Sequence, residues 1–186
     1  QIACGTDCYP TSGACSVGIG ACARSGIASC AAYDRVAGGP EFTCARRRDS
    51  TVACWGRGTD GQLGVGTLGD SLSPLPVTGL SQVVALAAGF GHACAARSDG
   101  AVFCWGRNDS QQLGDGTTRT QTTPVPVTGV SDAIDVSAGA QFSCALRRDG
   151  RVWCWGLDLG QLGTGATSPT VSPPVAAVGL SNVASI

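Results

Sequence analysis

The sequence is poor in the residue types on which catalysis and charged ligands depend. Its 186 residues contain no Met, no Lys, one His and one Glu, and only 13% of them are charged, against roughly a quarter in a typical soluble domain. The formal net charge is −1. Because the Arg residues are dispersed among Asp, they form no basic field that would hold nucleic acid. We therefore expect no nucleic-acid partner.

Long apolar runs and helical periodicity are also absent from the sequence. No apolar run approaches the roughly 18 residues that a transmembrane helix needs, so we expect no membrane span. The chain begins with Gln1 and no signal-peptide apolar segment is visible. We expect a processed form or a fragment of a longer product.

Cysteine, in contrast, is abundant. Eleven cysteines are too many for idle thiols in a reducing cytosol, and none forms the C-x-x-C pair of zinc sites. Disulfides in an oxidising compartment are the favoured interpretation, and buried free thiols are the alternative for the last six. The pairing of the first five is left open, with a soft-metal thiolate site as the lesser alternative: Cys4, Cys8, Cys15, Cys22 and Cys30.

The rest of the chain repeats every 50 residues. The segment CAARSDGAVFCWG at Cys94–Gly106 has counterparts at 44–56 and 144–156, each followed by Gln-Leu-Gly and a pair of prolines. Each copy holds about four short apolar or β-branched runs bounded by Gly and Pro, which is typical of a propeller blade. Proline marks the edge strand of each sheet because it cannot donate a ladder hydrogen bond. The predicted fold is all-β: a partial β-propeller of about three blades with four short antiparallel strands each, preceded by a small Cys-rich segment.

The domain boundary is placed near Tyr33 to Gly38. Residues 1–35 form a segment too short to bury a core, which would depend on disulfides for its shape. The predicted blades cover residues 36–80, 81–130 and 131–180, with the start of a fourth at 181–186. Three blades leave two radial faces uncovered, so we expect the chain to be marginally stable, to self-associate or to depend on its disulfides.

Hairpin geometry predicts how the repeated cysteines pair. A three-residue turn at 98–100, with Gly100 left-handed, pairs Arg97 with Ala101 and sets Cys94 opposite Cys104. This is a non-hydrogen-bonded pair, with Cα atoms about 4.5 Å apart, which a disulfide can span. A two-residue turn would instead set Cys94 against Trp105.

The same counting predicts the disulfides Cys44–Cys54 and Cys144–Cys154. Ser50 stands where the other copies have Gly, so we expect a strained or different turn in the first copy.

Two further sets of positions are candidates for packing and for binding. Trp55, Trp105 and Trp155 recur at one repeat position, which predicts blade-to-blade packing. The loops at 65–73, 115–123 and 164–172 differ between copies, so they are either partner-binding loops or tolerant surface turns. The candidate binding residues are Thr67, Asp70, Asp115, Arg119, Thr120, Trp153 and Thr167.

No catalytic, metal or cofactor site is predicted. His92 takes the position that Phe42 and Phe142 fill in the other copies, which indicates packing, and Cys94 is expected in a disulfide rather than as a nucleophile beside it. The Asp-Gly pairs lack the spacing of calcium loops, and no helix follows the Gly-rich loops as phosphate binding requires.

The repeat resembles a known family. The run His92–Ala95, Asp99-Gly100, Cys104–Gly106 and Gln112–Gly116 is similar to the repeat of the regulator of chromosome condensation family. The resemblance covers residues 36–186 and implies a propeller that in the family has about seven blades. The paired cysteines resemble the secreted or surface-attached bacterial branch of the family. Residues 15–30 resemble a Cys-rich element of large secreted bacterial proteins.

These observations lead to one functional hypothesis and two alternatives. The first is a non-enzymatic scaffold in a secreted or cell-surface bacterial protein, whose loops bind another protein or a cell-surface component, with missing blades of the same chain as internal partners. The resemblance also implies a guanine-nucleotide exchange factor for a small GTPase, as in nuclear members. The last alternative is structural filler in a large surface protein. The cellular compartment of the protein discriminates between the binding scaffold and the exchange factor, because a disulfide-bonded secreted protein does not meet a cytosolic GTPase.

Overall fold

The computed structural model describes residues 33–165 and 170–186. The predicted Cys-rich segment lies outside the described residues except for its last three positions, and so does Thr167. The described residues form twelve strands: β1 Tyr33–Gly38, β2 Phe42–Arg47, β3 Val52–Gly56, β4 Ser71–Pro76, β5 Val83–Ala88, β6 His92–Arg97, β7 Val102–Gly106, β8 Gln121–Pro126, β9 Ala133–Ala138, β10 Phe142–Arg147, β11 Val152–Asp158 and β12 Thr170–Ala176.

Every four consecutive strands form one antiparallel sheet in chain order, which gives three sheets. We refer to β1–β4, β5–β8 and β9–β12 as blades 1, 2 and 3. The predicted all-β partial propeller is therefore confirmed. The strands with the paired prolines, β4, β8 and β12, are edge strands as predicted, because Pro lacks the amide that an interior ladder needs. Across the part of the chain that the structure describes, no helix is long and apolar enough to cross a membrane.

The central hairpin of blade 2 has the predicted register. The amide of Arg97 donates to the carbonyl of Ala101 and the amide of Gly100 donates to that of Arg97, each at 2.9 Å. Gly100 has a φ of 85°, the left-handed conformation that this three-residue turn requires. Cys94 consequently lies opposite Cys104.

All three predicted disulfides are present. Cys44–Cys54, Cys94–Cys104 and Cys144–Cys154 have Cα–Cα distances of 4.1, 4.1 and 4.0 Å, as the non-hydrogen-bonded positions of an antiparallel pair require. Each one joins the two central strands of its own blade. The disulfides therefore cross-link strands within each sheet and do not link one blade to the next.

The turn of blade 1 has the same hydrogen bond as the other two, so of the two expectations for it, a strained turn or a different one, the strained turn is what the structure has. Ser50 adopts a φ of 64°, and its amide donates to the Arg47 carbonyl at 2.9 Å. The Ser50 carbonyl in turn accepts the amide of Val83 in blade 2 at 3.0 Å. Both the disulfide register and this contact between blades require the turn, so Ser50 is held in a conformation that glycine adopts more readily.

Candidate functional site

The connections at one end of the blades form a surface that we call the loop face. Within each blade the first-to-second and third-to-fourth strand connections emerge at the same end, because neighbouring strands are antiparallel. The blades adjoin there: the amide of Phe90 in blade 2 donates to the Gly139 carbonyl of blade 3 at 3.3 Å. In blade 1, the amide of Gly66 donates to the Thr122 carbonyl of blade 2 at 2.8 Å. The loop face comprises residues 39–41, 57–70, 89–91, 107–120, 139–141 and 159–165.

An open hollow of about 440 Å³ lies where the inner turns of the three blades converge. It is lined by Gly38, Gly39, Pro40, Ala88, Gly89, Phe90, Gly139 and Ala140. None of these residues offers a side chain that acts as an acid, a base or a nucleophile. In the described ranges 33–165 and 170–186, no three His, Cys, Asp or Glu side chains converge as a metal site would require.

The loop of blade 2 is held by a network around Asp115. Its carboxylate accepts hydrogen bonds from the Thr117 amide at 2.9 Å, the Asn108 amide group at 2.9 Å and the Gln121 amide group at 3.1 Å. Burial opposes ionisation, but these hydrogen bonds outweigh it and hold the pKa of Asp115 below its usual value. The Asp115 carboxylate is thus engaged within its own loop. Its contact with a partner remains a prediction.

Asn108 organises this loop, although it is not among the residues predicted from the sequence. Its side chain is fully buried, and its carbonyl oxygen accepts the amide of Leu113 at 3.0 Å. The corresponding position in blade 3 is Asp158, whose carboxylate accepts the Thr164 hydroxyl at 2.7 Å. In blade 1 the corresponding residue is Gly58, whose amide donates to Asp70 at 2.9 Å. Because a different residue holds this loop in each blade, the repeat shows no common residue type that would predict the role.

The remaining candidate residues divide between two ends of the propeller. Thr67, Arg119 and Thr120 are exposed on the loop face, as is Asp70. Trp153 instead lies at the start of β11, next to the hairpin turn and away from the loop face. It is half-buried, and the Arg147 guanidinium lies over its ring at 5.5 Å. The structure therefore does not bring Trp153 together with the variable loops.

The recurring tryptophans lie between blades. Trp105 and Trp155 are fully buried, and their indole N–H groups donate to the carbonyls of Gln62 and Gln112 in the preceding blade, both at 2.9 Å. Trp55 is half-buried. Its indole N–H has no such acceptor among the described residues.

The Gln-Leu-Gly motif of one blade contacts the tryptophan ring of the next. Its glycine is required both because a side chain would clash with that ring and because its φ is left-handed. A Cβ atom added to Gly64 would lie 2.8 Å from the Trp105 ring nitrogen, and Gly64 has a φ of 69°. Tryptophan in one blade and Gln-Leu-Gly in the preceding blade are therefore the two halves of one repeated contact.

His92 is part of the contact between blades 2 and 3. It is fully buried, and its Nε2 lies 2.8 Å from the Ser143 hydroxyl. Since that hydroxyl donates its proton to the Gln112 carbonyl at 2.9 Å, Nε2 carries a hydrogen and donates to Ser143. Nδ1 is buried and has no hydrogen-bond partner among the described residues. Burial lowers the pKa of His92 to about 4, because it disfavours the charged imidazolium. Cys94 is disulfide-bonded, so no thiolate accompanies the imidazole.

The antiparallel four-stranded sheets and the contacts that interlock them define these units as blades of a β-propeller. The family model described as "Regulator of chromosome condensation (RCC1) repeat" matches residues 49–96 and 99–146. A second model with the same description matches residues 34–62, 83–112 and 133–161. The chain belongs to the RCC1 repeat family.

Solved structures with this fold include human WBSCR16, which is 26% identical with a TM-score of 0.71 over 78% of this chain and 38% of that one. Yeast RCC1 (Prp20), in a structure bound to Kap60, is 22% identical with a TM-score of 0.68 over 81% of this chain and 38% of that one. Saccharomyces cerevisiae Prp20p, described with its binding to Gsp1p and histones, is 22% identical with a TM-score of 0.69 over 81% of this chain and 40% of that one.

The chain thus spans about two fifths of the length of these propellers. The comparison with curated proteins found no significant match.

Proposed function

We propose that this chain is a non-enzymatic interaction module of a secreted or cell-surface bacterial protein, and that its loop face binds another protein or a cell-surface component. The observation that carries the proposal is a set of exposed apolar side chains on that face. Leu68, Phe90 and Leu159 are all exposed, and each comes from a different blade. Large apolar side chains displayed above a polar surround are typical of protein-binding surfaces.

The fixed conformation of the loops supports the proposal. The buried Asn108 side chain and the Asp115 carboxylate hold the blade 2 loop beneath its exposed tip at Arg119. In blade 3, Asp158 has the same effect through Thr164. A loop that is ordered before binding loses less conformational entropy when it meets a partner. Variable tips on a rigid repeated scaffold therefore suit recognition better than they suit chemistry.

The disulfides support binding outside the cytosol. The three intrachain disulfides indicate an oxidising environment. A guanine-nucleotide exchange factor acts on a GTPase in the reducing cytosol, where these bridges would not persist. We therefore favour the extracellular binding module over nucleotide exchange, which remains the alternative.

The test uses the oxidised chain immobilised on a surface and a preparation of cell-surface proteins from the source organism as the probe. Phe90→Ser combined with Leu68→Ser removes two of the exposed apolar side chains, whereas Ile134→Ser makes the same change on the inner strand β9 and serves as the control. We expect specific retention by the unmodified chain and the control, and at least a tenfold loss in the double variant, as truncation of two anchor side chains implies. Equal retention by all three proteins would refute the proposal.

The nucleotide-exchange alternative has its own measurement. Release of a fluorescent GDP analogue from small GTPases is followed with and without the oxidised chain. Accelerated release would favour exchange over the binding module, and an unchanged rate is the expected result.

A further inference from the structure

The two contacts between blades share one plan. We call the contact of blade 1 with blade 2 the first interface and the contact of blade 2 with blade 3 the second interface. Each contains a buried tryptophan whose indole N–H donates to a carbonyl of the preceding blade. Each also contains an equivalent backbone hydrogen bond of 3.0 Å: the Val83 amide donates to the Ser50 carbonyl in the first, and the Ala133 amide to the Gly100 carbonyl in the second. The two interfaces can therefore be compared position by position.

The second interface contains the single histidine of the chain, at a place where a second ring proton has no acceptor. The Nε2–H of His92 donates to the Ser143 hydroxyl at 2.8 Å, and Nδ1 is buried without a hydrogen-bond partner among the described residues. The Gly89 backbone closes over that edge of the ring, since a Cβ atom added there would lie 2.8 Å from Nδ1. Protonation of Nδ1 therefore creates a buried N–H without an acceptor and a buried charge. The first interface has Phe42 and Ala93 at these two positions, so it cannot take up a proton there.

No charged side chain compensates a proton on His92. Because Nε2 meets Ser143 and Nδ1 has no partner, no carboxylate in the described ranges is hydrogen-bonded to the ring. The charged side chains on the strands and connections packed around the ring are engaged elsewhere, in ion pairs or within their own loop: Arg97, Arg107, Asp109, Arg147, Asp135, Asp60 and Asp115.

The first interface has an additional brace. Arg46 of blade 1 donates to the carbonyls of Val83 and Val84 in blade 2 at 3.1 and 3.2 Å, and Asp34 holds the same guanidinium at 2.7 and 2.9 Å. The hydrogen bond from Arg46 lowers the pKa of Asp34, so this ion pair persists at pH 5. The equivalent position in blade 2 is Ala96, which has no side-chain donor to offer blade 3. The second interface is thus both the one that responds to protons and the one without this brace.

We propose that the second interface is an acid-sensitive hinge, in which protonation of His92 separates blade 3 from blade 2 while the first interface stays closed. Separation hydrates the imidazolium and leaves the strand ladders and the disulfide of each blade intact, because those disulfides lie within blades. Phe90 of blade 2 adjoins Gly139 of blade 3 on the loop face, so opening alters that face in acid. The hinge does not depend on which partner the loop face binds.

The size of the shift in the opening equilibrium follows from the two environments of the ring. Burial lowers the pKa of His92 from 6.5 to about 4 in the closed interface, whereas a hydrated imidazole in the open interface keeps its ordinary pKa. Protons therefore bind the open form preferentially, and the ratio of open to closed interface rises as the pH falls. Between pH 7 and pH 5 this rise is about twentyfold.

The test follows hydrogen exchange of single backbone amides by NMR in the oxidised chain at pH 7 and pH 5, with each rate divided by the intrinsic rate at that pH. The Ala133 amide reports on the second interface and the Val83 amide on the first, because each donates across its own interface. His92→Phe combined with Ser143→Ala is the matched control, since it installs the residue pair of the first interface. His92→Gln is a second control that keeps a neutral N–H donor for Ser143. Circular dichroism checks that the variants fold.

We expect the protection of the Ala133 amide to fall about twentyfold from pH 7 to pH 5 in the unmodified chain, and that of Val83 to stay unchanged. In the folded controls both amides should keep their protection. The other titrating groups are present in every protein, so their effects cancel in the comparison. Unchanged protection of Ala133, an equal fall at Ala133 and Val83, or the same fall in the folded controls would overturn the proposal.

Discussion

Replacing His92 with Phe and Ser143 with Ala together converts the contact between blades 2 and 3 into the contact between blades 1 and 2. There the equivalent residues are Phe42 and Ala93, both buried. The substitution removes a buried ionisable group and keeps a ring of similar size. The Gln112 carbonyl that loses the Ser143 hydroxyl still accepts the Trp155 indole N–H at 2.9 Å, so no buried acceptor is orphaned.

The size of the acid-induced loss in the free energy of unfolding follows from the pKa of His92. Burial lowers it from 6.5 to about 4, and each pKa unit corresponds to about 1.4 kcal/mol. Between pH 6.5 and about pH 4, His92 binds a proton in the unfolded chain but not in the folded chain. The free energy of unfolding therefore falls as the pH falls. The loss begins near pH 6.5 and reaches about 3 kcal/mol near pH 4.

The assay is urea denaturation of the oxidised chain at one protein concentration, followed by tryptophan fluorescence at several pH values from 7 to 4. Five carboxylates with lowered pKa also weaken the fold in acid, but they are present in both proteins and cancel in the difference: Asp34, Asp49, Asp109, Asp115 and Asp158. We expect the unmodified chain to lose about 3 kcal/mol more than the double variant over this range. Equal losses in the two proteins would refute the assignment of a buried neutral imidazole.

Three further predictions concern the blades. Ser50→Gly is expected to raise the free energy of unfolding by about 1 kcal/mol, because it relieves a left-handed φ. Gly100→Ser is expected to lower that free energy by more, because its Cβ atom would lie 2.7 Å from the Asp132 backbone. Urea denaturation that ranks the two variants the other way would contradict this. Replacing Cys94 and Cys104 with Ala should lower stability by about 2 to 3 kcal/mol through the unfolded state, and peptide mapping without reduction should recover the other two bridges intact. Trp105→Phe should lower the free energy of unfolding by about 1 kcal/mol for its lost hydrogen bond. Trp55→Phe should have no measurable cost, because the Trp55 indole N–H has no acceptor among the described residues, so equal costs would count against the interblade role of Trp105.

What the sequence by itself determined lies within one blade. The alternation of apolar and polar residues, the Asp-Gly turns and the prolines are local signals, and they were sufficient for the strands, the edge positions and the disulfide register at Cys94 and Cys104. Ser50 is the instructive exception. Its residue type argued against the turn, but the bridge beside it and the hydrogen bond from Val83 outweigh the local preference.

Only the tertiary structure decided which blade surfaces meet and which side chains remain available to a partner. His92 and Ser143 are 51 residues apart, and the 50-residue period says nothing about the direction in which one blade stacks on the next. The engagement of Asp115 depends on Asn108, whose position holds Gly58 and Asp158 in the other copies. Arg147 does recur, as Arg47 and Arg97, but its placement over the Trp153 ring is a contact that the period alone does not predict. Periodicity specifies what recurs along the chain, whereas contacts between blades depend on how separate sheets are placed against one another, and that placement is set by packing across the whole fold.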